Sequence, residues 1–227
     1  MNQNNCIANI NMREYKTILK YKNIDVLSLK IKYPLILSNN KYAQRKINND
    51  ITMQINDYFK YACTTLYYQA IKTYMDSIKN DFPFHSFDAI MEYNITYNEN
   101  CFLSLYKDKY EYTGGAHGIT IRSSDTWELC YGKNILLNYL FKPNTDFESL
   151  FINESIKQVE KNLEQNPNIY FDDYKELIKE TFNPKSYYLT PEGITIYFQQ
   201  YDIAPYSTGI VEFIIPYKTI GWYPSCY

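Results

Sequence analysis

Histidine is nearly absent from this chain: only His85 and His117 occur among 227 residues. Zinc hydrolases commonly place two or three histidines on the metal. His85, close behind Pro83, reads as a loop residue, and no spacing joins either histidine to Asp88 or Asp125 in a mixed site, so no metal is expected. The five cysteines, Cys6, Cys63, Cys101, Cys130 and Cys226, stand singly without a Cys-x-x-Cys pair, which removes the usual zinc or redox dithiol motifs. An odd, scattered set is expected to be reduced, with Cys63 and Cys101 as small buried hydrophobes and Cys226 exposed near the end. No basic run exceeds two residues, and 23 Lys plus Arg against 25 Asp plus Glu leave a net charge of −2. Such a balance gives no field to steer nucleic acid or anionic lipid, so neither is expected as a partner. Residues Met1 to Lys16 hold no apolar run of signal-peptide length, and no stretch of membrane-spanning length is wholly apolar. The cytoplasm is therefore the expected location, with the cell surface as the alternative. Also missing are a Gly-x-Ser-x-Gly elbow, a P-loop ending, any internal repeat and any low-complexity linker.

What is present is tyrosine. The apolar share is 45%, and 26 Tyr with 12 Phe supply much of it. Tyrosine suits half-buried positions because its ring is apolar and its tip polar, and it serves adaptable binding surfaces at low entropic cost. A codon-biased genome rich in Asn, Ile, Lys and Tyr accounts for the same composition without function. The length allows one generous domain or two small ones, and a chain of this size buries a core without needing a metal or disulfide staple.

Hydrophobic period organises the rest. The first dozen residues, rich in Asn, are expected to fray, giving a disordered 1–15 ahead of a single domain over 16–227. Two strands lie between Lys16 and Leu37, with a turn at Lys22-Asn23; Leu29, Ile31 and Tyr33 face one way, Lys30 and Lys32 the other. Asn39 or Asn40 caps a long helix whose stripe is Ile47, Ile51, Ile55, Phe59, Ala62 and Leu66, running to about Ile78 before Pro83. Phe87 to Tyr97 alternates cleanly as a strand, the chain returns as Cys101 to Tyr112, and Ile119 to Cys130 completes a meander. Helices follow over Asp146 to Leu163 and Tyr170 to Phe182, then strands Ser186 to Leu189, Ile194 to Gln199 and Ile210 to Tyr217, which finish the sheet. This order predicts an α+β fold: an antiparallel sheet of about six to eight strands packed against one long and two shorter helices.

The run Tyr112-Thr113-Gly114-Gly115-Ala116-His117-Gly118 is the most distinctive stretch. With Leu137 to Phe141, Tyr201-Asp202-Ile203-Ala204-Pro205-Tyr206, Gly209 and Ile214-Ile215-Pro216-Tyr217 in order, it resembles the extracytoplasmic domain of lysozyme-sensing, RsiV-type anti-sigma factors, a domain also similar to the non-catalytic N-terminal region of some peptidoglycan deacetylases. The resemblance spans about Tyr112 to Thr219 and divides the domain into a partner module, 16–98, and an RsiV-like module, 99–219. It implies an α+β receptor domain whose partner is a lysozyme-like protein or a peptidoglycan fragment. The sigma-binding segment, membrane helix and deacetylase domain of those relatives are not matched, so signalling and deacetylation are not carried over.

Three readings of function compete. In the first, the chain is a non-catalytic binding domain that uses Tyr112, Gly114, Gly115, His117 and Gly118 together with Tyr201, Asp202, Pro205 and Tyr206, with no catalytic residues and no cofactor. In the second it is a small hydrolase acting on glycan or peptide, with His117 as general base and Asp202 or Glu111 as acid. In the third it is a tyrosine-rich surface-layer or spore protein. Against specific roles stand plain structural ones: His117 bonding backbone at a tight connection where Gly114, Gly115 and Gly118 supply positive φ, and Asp202 shaping a turn beside Pro205. Tyr201, Tyr206, Trp222 and Tyr223 could line a groove or pack in the core.

Overall fold

Lys22 and Asn23 both take positive φ, 48° and 66°, the two-residue turn whose twist matches that of paired strands. They fold Asn9–Tyr21 (β1) back along Ile24–Leu37 (β2). These strands belong to a computed structural model that describes residues 6–226. β1 begins at Asn9, inside the stretch expected to fray, and Ala8 before it is buried and bonded to Asn98; residues 1–5 of that stretch lie outside the described residues. The early start left no trace in the hydrophobic pattern because β1 is an edge strand, mostly exposed along its length.

Asn40 starts the long helix. Its side-chain oxygen accepts from the amides of Tyr42 and Ala43, both at 3.1 Å, satisfying donors that no helical carbonyl reaches. Lys41–Tyr61 (α1) and Tyr67–Asn80 (α2) are joined by a π-helical turn at 62–66. Ile47 and Ile51 are buried as expected, but Tyr58 takes the place given to Phe59, and Phe59 is 38% exposed. The inserted π turn then restores Ala62, Leu66 and Ala70 to the buried side. Polar side chains fix this helix to its sheet: Asn48 closes two hydrogen bonds with the Ile36 backbone, at 2.9 and 2.8 Å, and the Tyr93 hydroxyl bonds Gln54 at 2.9 Å.

Phe87–Glu99 (β3), Phe102–Tyr112 (β4), Ile119–Glu128 (β5) and the short Lys133–Asn134 (β6) follow. The six strands form one sheet in the order β1-β2-β3-β4-β5-β6. It is not wholly antiparallel: β2 and β3 run parallel, from Leu27 opposite Phe87 to Lys32 opposite Glu92, because the long helix between them is a crossover connection. Pro34 lies beyond that paired stretch, opposite Met12 of β1.

Phe147–Gln165 (α3), capped by Asp146, and Tyr174–Thr181 (α4) come next. Tyr187–Leu189 (β7), Gly193–Phe198 (β8) and Val211–Pro216 (β9) make a separate three-stranded antiparallel sheet, where a single continuous sheet was expected. A short helix, Tyr217–Ile220 (α5), ends the regular structure. The described residues divide into two units: one is Asn9–Tyr93 with Lys107–Ile121, the other the remainder. The second unit has its own core, including Phe102, Phe151, Val159, Ile194, Phe213 and Ile215.

The thiols differ most from expectation. Cys101 is buried but not free: it forms a disulfide with Cys226. Cys226 and Cys63 are both half-buried, the first not exposed and the second not in the core. Spacing could not show this pairing, because the partners are 125 residues apart.

Candidate functional site

Alternation along β4 puts Lys109 and Glu111 on one face, with Thr113 just past its end, and alternation along β5 does the same for Ile119 and Ile121. With His117 from the loop between the strands, these residues line a cleft of about 230 Å³ in the first unit. Glu111 accepts a hydrogen bond from the Tyr61 hydroxyl at 3.2 Å, and the Lys109 ammonium sits 5.5 Å from the centre of the Tyr58 ring. Burial pushes the Glu111 carboxyl above its ordinary range, against the opposing pull of Tyr61 and Lys109. Burial likewise lowers Lys109, with Lys107 adding repulsion. The Tyr61 hydroxyl is raised, first by burial and then by Glu111. A carboxylate and an ammonium, both perturbed, thus line one cleft, with the perturbed Tyr61 phenol against the carboxylate, an arrangement found at functional sites and in structural ion networks alike.

The connecting loop is exposed from Thr113 to His117, while Tyr112 is half-buried and Gly118 buried. Of the three glycines expected at positive φ, only Gly114 has it, at 90°. Gly118 is needed for space instead: a Cβ there would lie 2.4 Å from the Tyr110 ring. The His117 Nδ1 stands 3.1 Å from the Gly118 carbonyl oxygen, so Nδ1 donates in the neutral ring and Nε2 carries the lone pair. The sequence reading named His117 as a general base and Glu111 as one of two candidate acids; the fold places both on the same cleft. It passed over Lys109 and Tyr61, which no motif marks and which only the strand pleat and the helix face bring to the cleft.

The Tyr201 to Gly209 loop belongs to the second unit. Tyr201 is exposed at φ 71°, with its ring centre 5.9 Å from that of Tyr206. Asp202 accepts from the Gln199 amide at 2.7 Å, and its own amide donates to the Gln199 carbonyl at 3.1 Å. It therefore shapes the turn, and its carboxyl is raised by burial. Ile203 and Ala204 are buried, Pro205 is half-buried, and Thr208 bonds the Ile169 carbonyl at 2.8 Å, so the loop is anchored from beneath and offers a tyrosine pair outward. Trp222 and Tyr223 pack instead around Tyr217, and Trp222 also meets Phe102.

Arg122, which no motif marks, is held next to Gln199. Its guanidinium carbon lies 3.6 Å from the Tyr106 ring centre and it is ion-paired with Glu212. Gln199 clasps the Arg122 backbone with two hydrogen bonds, at 2.9 and 2.8 Å. A second, mostly apolar cavity of about 390 Å³ is lined by Leu136, Leu137, Phe147 and Pro184 among others.

Two solved structures share this architecture. A member of the DUF3298 family from Bacteroides fragilis superposes with a TM-score of 0.68 at 18% identity, covering 95% of this chain and 92% of its own. A DUF3298 family protein from Pseudomonas aeruginosa PAO1 gives 0.62 at 15%, with coverages of 96% and 94%. No curated protein matches the chain. Residues 20–120 match the family model described as deacetylase PdaC, and residues 138–218 match the one described as protein of unknown function DUF3298.

Proposed function

We propose that the chain is a non-catalytic binding domain for a protein or cell-wall-derived ligand, met on the Tyr112 to Gly118 surface. The observation that carries this reading is an exposed loop, Thr113 to His117, standing over a cleft whose half-buried charged groups are held by neighbours: Glu111 by Tyr61, Lys109 over Tyr58. A preformed, polar and partly apolar concavity beside an accessible loop suits recognition. The similarity to lysozyme-sensing domains favours a lysozyme-like protein as the first ligand to try. The Cys101–Cys226 disulfide supports an encounter at the cell surface, since such bonds persist in oxidising surroundings.

The test is calorimetric titration of the protein with a c-type lysozyme and, separately, with soluble peptidoglycan fragments. Saturable binding to one of them, weakened at least about tenfold (about 1.4 kcal/mol) by His117→Ala, is the expected result. No heat with either ligand removes the reading. A hydrolase is the second reading, favoured by one observation: Glu111, with its carboxyl raised, and His117 line the same cleft. Release of new reducing ends or amines from the same fragments, lost in Glu111→Gln, would replace binding with catalysis.

A further inference from the structure

Three sulfurs meet in the second unit. The Sγ atoms of Cys6, Cys101 and Cys130 all lie within 4.8 Å of one another, although the residues are far apart in sequence. Independent anchors bring them there. The Asn98 side chain accepts from the Ala8 amide at 3.0 Å and donates to the Ala8 carbonyl at 2.7 Å, fixing the chain two residues beyond Cys6. The Leu129 amide donates to the Cys101 carbonyl at 2.8 Å, fixing the chain one residue before Cys130. Glu128 then accepts from the amides of Cys130 and Tyr131, at 2.6 and 2.9 Å, which sets the turn that aims Cys130 at the cluster.

Of these residues Cys101 already forms a disulfide, with Cys226; Cys6 and Cys130 form none, and both are half-buried. We propose that Cys6 and Cys130 are a second disulfide site, closed by exchange with an external disulfide such as oxidised glutathione, so that the mature chain carries two adjacent disulfides and Cys63 as its one thiol. A metal fits the same place less well. A structural zinc takes four ligands, Cys101 and Cys226 are committed to each other, and the oxygens of Glu128 are engaged with backbone amides.

The chemistry balances through ordinary exchange. The Cys6 thiolate attacks one sulfur of the donor disulfide, forming a mixed disulfide and releasing the first donor thiolate, which takes up a proton. Cys130 then loses its proton to solvent and attacks the Cys6 sulfur, releasing the second donor thiol. Two protein thiols are oxidised and one donor disulfide is reduced. Burial, then the hydrogen bond and charge of Glu128, push the Cys130 thiol up to about 12, which makes Cys130 the slow nucleophile and assigns the first attack to Cys6. Closure would tie the segment before β1 to the turn after β5.

The test equilibrates the full chain in a glutathione redox buffer, denatures it in iodoacetamide and maps tryptic peptides without reduction. The cysteines fall in separate peptides, residues 1–13, 61–72, 80–107, 123–133 and 219–227. The expected map links 1–13 to 123–133 and 80–107 to 219–227, with alkylation on 61–72 alone. Cys130→Ser is expected to leave the second link intact and to add alkylation on 1–13. Alkylation of both 1–13 and 123–133 in the oxidised wild type overturns the proposal. So does a link from 80–107 to 123–133, which would show exchange into the existing disulfide, and so does stoichiometric zinc that shields Cys6 and Cys130 until a chelator removes it.

Discussion

Glu111 shows how the partial burial of a single carboxyl sets a cost in stability. Its carboxyl is raised in the folded state by burial, above the ordinary 4.5. The folded chain therefore keeps this proton to higher pH than the unfolded chain does. Between the two values the native state binds more protons, so stability is greatest below the unfolded value and falls as pH rises through the folded one. Glu111→Gln keeps an acceptor for Tyr61 and removes the ionisation. Melting the two proteins side by side should give closely similar midpoints near about pH 4 and a higher midpoint for the variant near about pH 7. A wild type that gains on the variant as pH rises would mean that Lys109 and Tyr61 more than offset the burial of the charge. At this scale the sequence was partly legible. His117 and the glycines stood out as a run, and Glu111 could be named as an acid. The roles of the glycines could not be read, because whether a glycine serves φ or space depends on what lies opposite, and Tyr110 faces Gly118 only once β4 and β5 pair.

Elements were the most legible level, for a physical reason: period and punctuation are local. The alternation of Phe87 to Tyr97, the Asn40 cap and the two-residue turn at Lys22-Asn23 all sit where their patterns place them. What failed was pairing between elements. The parallel β2–β3 pair follows from the helix that separates the strands, and the split into two sheets from contacts that leave no trace in a window of residues. Gly193 illustrates such a contact. In the sequence it closes a Pro191-Glu192-Gly193 turn; in the fold it is the first residue of β8, opposite Pro216 of β9. A Cβ at this position would sit 2.2 Å from the Ile215 carbonyl oxygen and 2.8 Å from its carbon. Those are backbone atoms held in a ladder, so the strands must separate rather than a side chain swing aside. Gly193→Ala is expected to cost about 3 kcal/mol, the upper end for overpacking, measured as a fall in urea midpoint with unchanged slope. A loss below about 0.5 kcal/mol, the usual range for a harmless surface change, would show that β8 and β9 are looser than their register implies.

For the whole molecule, the decisive link is one that no local pattern announces. Cys101 follows the β3 strand at the turn into β4, and Cys226 lies past α5; their disulfide closes 125 residues of chain. Cross-linking restricts the unfolded ensemble more as the loop grows, by about 5 kcal/mol for a loop of this size on the chain-entropy account. That is a large fraction of the roughly 5 to 15 kcal/mol that domains possess. Replacing Cys226 alone would leave a Cys101 thiol beside Cys6 and Cys130, free to find another partner and hide the loss. The clean variant is therefore the double substitution Cys101→Ser and Cys226→Ser, unfolded in urea without reductant against the oxidised wild type. A loss of about 3 to 5 kcal/mol is expected, together with a steeper slope because the uncrosslinked chain exposes more surface when it unfolds. If the double variant instead matches the wild type in midpoint and slope, the terminal segment is held by the packing of Trp222 and Tyr223 on Tyr217, and the disulfide records the compartment in which the chain folds rather than securing its stability.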